Sequence, residues 1–140
     1  MAAVRGLVTA MSPSIVTIST DFAPAPAGHY SQGVVAGGHL YVSGQLPIRA
    51  DGSPCLGEDF EAQATQAIAN MLAILKAAGG GPQHLVKVTA YIVGVANWPR
   101  FNAVYAGLLG DARPARTVVP VTDLHHGFLV EIDAVAVVPG

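Results

Sequence analysis

EDFEAQATQAIANMLAILKAAGGGPQHLVKVTAYIVGV, from Glu58 to Val95, holds a helix, a stop and a strand in one continuous reading. Glu58, Asp59 and Glu61 gather where the positive end of a helix dipole favours carboxylates. Phe60, Ala64, Ile68, Leu72 and Leu75 then recur three or four apart, which lines one helical face with apolar groups and turns it toward a core. Gly79-Gly80-Gly81 stops the run, so the helix is predicted over Glu58 to Ala78. From Leu85 to Val95 the period changes to two. Val86, Val88, Ala90 and Ile92 alternate with Lys87, Thr89 and Tyr91, as in a strand with one buried face.

Toward the C-terminus, Pro99 suits the first turn of a second helix, with Phe101, Val104, Tyr105 and Leu108 on its apolar side and Gly110 at its end. Arg116 to Val121 and Phe128 to Val138 read as two further strands. Toward the N-terminus, Gly33 to Ala36, the turn Gly37-Gly38 and His39 to Gln45 form a hairpin, and Ile15 to Ile18 form another strand. In the second hairpin strand, His39, Tyr41, Ser43 and Gln45 share one face, with Leu40 and Val42 on the other. Ala23-Pro24-Ala25-Pro26-Ala27-Gly28 breaks regular structure and delivers His29, Tyr30 and Ser31 in a loop. The order β-β-β-α-β-α-β-β indicates an α+β single domain over residues 15–140, a mixed sheet with both helices on one face. The other face is left open for a partner subunit. Residues 1–14 read as a flexible N-terminal extension.

Composition narrows the function. Seven Lys plus Arg against nine Asp plus Glu give a formal charge of −2, and the basic residues are scattered from Arg5 to Arg116. Nucleic acid needs a basic patch, so it is not an expected partner. Charged residues make up 11% of the chain and hydrophobic ones 51%, which leaves apolar surface for an oligomer to cover. The single Cys55 excludes an internal disulfide, and no apolar run reaches membrane-spanning length, so a cytoplasmic setting is expected.

Among candidate functional residues, Arg116 opens a strand after Pro114-Ala115 with no acidic neighbour in its segment, which suits a carboxylate fork as well as it suits a solvated surface arginine. Glu131 interrupts an apolar strand and shares a face with Leu129, Asp133 and Val135. Either that face meets solvent or the carboxylate orients and deprotonates a water. Tyr30, Ser43 and Asn102 offer neutral hydrogen-bonding groups on three segments that spacing alone does not bring together. His125 and His126 are adjacent and would point apart in an extended segment, with no carboxylate or cysteine at a ligand spacing, so no metal site is expected. No nucleophile elbow or phosphate-binding loop is present.

Six strings occur in an order and spacing that resembles the reactive intermediate deaminase (Rid, YjgF-type) family from about Thr17 onward. They are Gly28-His29-Tyr30-Ser31-Gln32, Tyr41-Val42-Ser43-Gly44-Gln45-Leu46-Pro47, Gln63 through Asn70, Phe101-Asn102-Ala103-Val104-Tyr105, Pro114-Ala115-Arg116 and Val130-Glu131-Ile132. The resemblance implies a chorismate-mutase-like fold and a homotrimer with sites in the clefts between subunits. It implies that Arg116 grips a substrate carboxylate and that Glu131 positions the attacking water. Tyr30, Ser43 and Asn102, with Thr117 and Val118 beside the arginine, would line the cleft. The implied activity is hydrolysis of 2-imino or enamino acids to 2-oxo acids and ammonia without a cofactor, as metabolite damage control. A ligand-binding or chaperone-like trimer and a pathway-specific enamine deaminase are the alternatives. The chain departs from the family in His29, where well-known members have Pro, and in Val118, where many have Cys. It departs again in Leu124-His125-His126-Gly127, which replaces a Leu-Pro turn. His29 and His125 are therefore expected to tune the substrate or to supply a proton.

Overall fold

The computed structural model describes residues 14–139, and the expected extension over residues 1–14 lies, but for Ser14, outside them. The expected element order is found. Strands β1 (Ile15–Ile18), β2 (Gly33–Ala36) and β3 (His39–Gln45) precede helix α1 (Phe60–Ala77); β4 (Leu85–Val93), helix α2 (Trp98–Leu109), β5 (Ala115–Val121) and β6 (Val130–Val137) follow. The sheet has six strands in the order β1-β2-β3-β6-β4-β5. Among the described residues only β4 and β5 pair in parallel, joined by the strand–helix–strand crossover through α2. The other neighbours are antiparallel.

Local chemistry explains the boundaries. Asp59 caps α1, its side chain accepting from the Ala62 amide at 2.9 Å. Gly37 and Gly38 take φ of +58° and +77°, the left-handed region a two-residue hairpin turn requires. Leu40, Val42, Val88, Ala90, Ile92, Val130, Ile132, Ala134 and Ala136 point to one side of the sheet. There they join Phe60, Ala64, Ile68, Met71, Ile74 and Leu75 of α1 and Phe101, Tyr105 and Leu109 of α2 in one buried cluster. On the opposite face Tyr41 is 50% and Val137 45% exposed, so apolar surface remains uncovered there.

Strict periodicity fails at three places. A register shift between Leu85 and Lys87 buries Leu85 and turns Val86 outward, against the expected inward run from Val86. A second irregularity between Val42 and Gln45 turns Gln45 into the core rather than onto the face of Tyr41 and Ser43. On α2 the inward position is Leu109, and Leu108 is exposed.

Three buried amides tie the long loops to this frame. Gln32 accepts from the Thr20 amide at 2.7 Å and donates to the carbonyls of Thr20, Ala23 and Pro24. Asn70 donates to the carbonyls of Leu46 and Ile48, and Gln63 accepts from the Leu129 amide. Gln32→Leu would strand several of these backbone groups without partners. It is expected to cost about 1–3 kcal/mol, read as a lowered midpoint in urea unfolding. Among the described residues no helix is long and apolar enough to cross a membrane.

Candidate functional site

Arg116 stands in register with Val88 and therefore on the helix side of the sheet, at the β5 edge. Its guanidinium donates to the Asn102 carboxamide oxygen at 2.9 Å and lies 5.0 Å from the centre of the Tyr105 ring. Among the described residues it forms no ion pair. A guanidinium oriented by a neutral amide and an aromatic face, with its charge uncompensated, is prepared for an incoming carboxylate. It opens on a cleft of about 400 Å³ whose lining includes Asn102, Tyr105, Arg113 and Arg116 and, among the described residues, no acidic side chain.

Glu131 stands in register with Tyr91 on the open face. Burial pushes its carboxyl above the ordinary glutamate range, the nearby Asp133 charge pushes it further, and a charge on His125 pulls it back. Asp133 is likewise raised by burial, with Tyr91 donating to it at a long 3.5 Å. Glu131 faces a cleft of about 350 Å³ lined by Tyr30, Ser43, Gly44 and Leu46. The irregularity in β3 makes room for it, since a Cβ on Gly44 would stand 2.7 Å from a Glu131 carboxylate oxygen. Ser43 donates its hydroxyl to the Ser31 carbonyl at 2.6 Å, which fastens the loop carrying Tyr30 to the strand. Gly44→Ala is expected to displace the flexible carboxylate rather than unfold the chain. Any activity that depends on Glu131 should fall about tenfold or more with the unfolding midpoint nearly unchanged, in paired assays of rate and thermal melting.

The structure thus gathers the candidates into two groups. Arg116 and Asn102 lie in one cleft; Tyr30, Ser43 and Glu131 lie in another. Val118 is buried one strand step from Arg116, whereas Thr117 is exposed on the open face and accepts from the Lys87 ammonium at 2.6 Å. His29 is exposed in the loop before Tyr30. His125 and His126 do not diverge as expected. They form a turn in which His126 takes φ +59°, and their rings lie 3.7 Å apart centre to centre. The alternation of an extended chain does not hold through a left-handed residue. Among the described residues no group of three or more His, Cys, Asp or Glu gathers as metal ligands would. Sequence reasoning missed Tyr105 as a site residue. Its apolar spacing in α2 marked it as core, which it also is, and nothing in the spacing signalled its position under Arg116.

Comparisons with known proteins agree with this architecture. The family model described as Endoribonuclease L-PSP matches residues 20–138. A RutC family protein of Pyrococcus horikoshii is 39% identical over 119 residues, covering 85% of this chain and 94% of the relative. The solved structure of RidA from an Antarctic Psychrobacter superposes with a TM-score of 0.83 at 38% identity, covering 88% of this chain and 99% of that one. The structure of Escherichia coli TdcF with bound serine superposes at 0.83 with 31% identity, covering 89% and 99%.

Proposed function

The chain belongs to the Rid family, which includes the YjgF and RutC proteins, and on that premise we propose that it hydrolyses reactive 2-imino acids and their enamine tautomers. The products are 2-oxo acids and ammonia, and the setting is the cytoplasm, where such intermediates would otherwise damage other enzymes. The observation that carries this reading is the orientation of Arg116 by Asn102 and the Tyr105 ring without a carboxylate to neutralise it. TdcF, which superposes on this chain, holds a serine, a ligand with the α-carboxylate such an arginine recognises.

The chemistry follows from these groups. Arg116 fixes the substrate carboxylate through a bidentate pair and so sets the C=N carbon in place. Glu131, ionised, accepts a proton from a water directed at that carbon. A C–O bond forms as the π electrons of the protonated imine return to nitrogen. Glu131 then returns its proton to the amine nitrogen; as the C–N bond breaks, an oxygen lone pair forms the C=O bond, the hydroxyl proton passes to the Glu131 carboxylate, and the 2-oxo acid and ammonia leave. Tyr30, Ser43 and Asn102 line the path, with Thr117 and Val118 flanking the arginine. His125, whose charge acts on Glu131, and His29, next to Tyr30 in the chain, are the imidazoles proposed to relay the returning proton. No cofactor enters the scheme. An RNA substrate is poorly matched, because a chain of net charge −2 with scattered basic residues offers no stripe for phosphates.

Arg116 and Glu131 open on different clefts of one chain, and apolar groups remain exposed on the open sheet face. Both observations support a homotrimer in which one subunit supplies the arginine side of each site and its neighbour the glutamate side. Subunit mixing tests this. Arg116→Ala and Glu131→Gln proteins, each inactive alone, are unfolded, combined in equal amounts and refolded. About a quarter of the sites then pair an intact arginine with an intact glutamate, so about a quarter of wild-type turnover should return. No recovery in correctly sized trimers, or a monomeric mass by light scattering, would contradict the shared site.

A further inference from the structure

The cleft beside Arg116 contains a second cation that the scheme above does not use. Arg113 lies in the segment between α2 and β5, and it lines the same cleft of about 400 Å³ as Arg116, Asn102 and Tyr105. Among the described residues it makes neither an ion pair nor a side-chain hydrogen bond, whereas Arg49 and Arg100 are each paired with a glutamate, Glu58 and Glu61. Two guanidinium groups in one concavity repel each other unless an anion lies between them, and among the described residues no acidic side chain lines the cleft. Tyr105 is only 7% exposed, and its hydroxyl is buried without a hydrogen-bond partner among the described residues. A buried polar atom left in that state is costly and marks a place where a partner is expected.

We propose that Arg113 is a specificity-determining residue that holds a second acidic group on the substrate, so that the enzyme favours 2-imino and 2-oxo dicarboxylates over monocarboxylates. This inference rests on the assignment of Arg116 as the grip for the α-carboxylate. With that carboxylate on Arg116, a carboxylate two or three bonds further along the substrate carbon chain would be met by Arg113, whose long side chain lines the same cleft. A distal charge paired there is held through charge-assisted hydrogen bonds, which raises affinity for the dicarboxylate without altering chemistry at the imine carbon. The two arginines then divide the work: Arg116 positions the reacting end, and Arg113 reads what lies at the other.

The test compares wild type with Arg113→Ala and Arg113→Lys. Imines are generated in place by an amino-acid oxidase from aspartate, glutamate, alanine and 2-aminobutanoate. The readout is the ratio of dicarboxylate to monocarboxylate kcat/KM. Wild type is expected to favour dicarboxylates about tenfold or more; Arg113→Ala should bring the ratio close to one, chiefly through KM, and Arg113→Lys should restore part of it. Equal kcat/KM for both classes in wild type, or equal losses on both in Arg113→Ala, would overturn the proposal. Calorimetric binding of 2-oxoglutarate against pyruvate separates this inference from the deaminase reading. If no imine is turned over, tighter binding of 2-oxoglutarate that Arg113→Ala removes still supports the second anion point. Equal affinities would refute it.

Discussion

Arg116→Ala is expected to lower kcat/KM for 2-imino acids about a hundredfold or more while leaving the circular dichroism spectrum unchanged. The size of the loss follows from what the residue does. A charge-assisted bidentate contact to a carboxylate is among the strongest polar interactions available, and its removal also frees the substrate to leave the approach line of the water. The fold is spared because Arg116 sits at the sheet edge, where its side chain donates to Asn102 and rests on Tyr105. Arg116→Lys keeps the charge but not the planar fork and should recover only a minor part of the activity. A spectrum that collapses together with activity would mean that the residue is structural.

Glu131→Gln should reduce kcat by about 10²–10⁴-fold, the usual contribution of a positioned base, while substrate analogues still bind. Two pH effects accompany it. Burial and the Asp133 charge raise the Glu131 carboxyl, so the acid limb of the wild-type kcat profile should lie above the ordinary glutamate range. The same shift bears on stability. Folded protein holds the Glu131 proton more tightly than unfolded protein does, so this group's contribution to stability is fully present below the unfolded pKa. It is lost as pH rises through the higher folded value. Glu131→Gln should therefore melt slightly above wild type at neutral pH, with the difference shrinking as the solution is acidified through the carboxylate range. A variant that melts lower than wild type at neutral pH would show that the carboxylate stabilises the fold.

Much of this molecule was legible in its sequence, and the places where it was not share a cause. The Phe60–Ala77 helix was readable because acids at its start, an apolar stripe and three glycines all point to the same element. The parallel β4–β5 pair was implicit in a helix lying between two strands. Periodicity failed at Val86 and Gln45, where local irregularities of pairing depend on tertiary contacts that no short window contains. It failed again at the His125-His126 turn, where a left-handed residue followed by a glycine replaces the alternation of a strand. Arg116 and Glu131 stood out as a guanidinium without an acidic neighbour and a carboxylate in an apolar strand. The sequence could not say that they open on separate clefts, because that depends on which side of the sheet each strand turns its residues to. Arg113 carried no signal of its own in the sequence. Its meaning comes from the cleft it shares with Arg116 and Tyr105.

Release of 2-oxo acid and ammonia should be followed from freshly generated 2-iminopropanoate and 2-iminobutanoate, with and without the protein, using Arg116→Ala as the control. Acceleration over the spontaneous reaction that disappears in the variant is the expected result. Hydrolysis of both imines at the spontaneous rate, by protein that is folded and of trimeric mass, would contradict the assignment of imine deamination to this site.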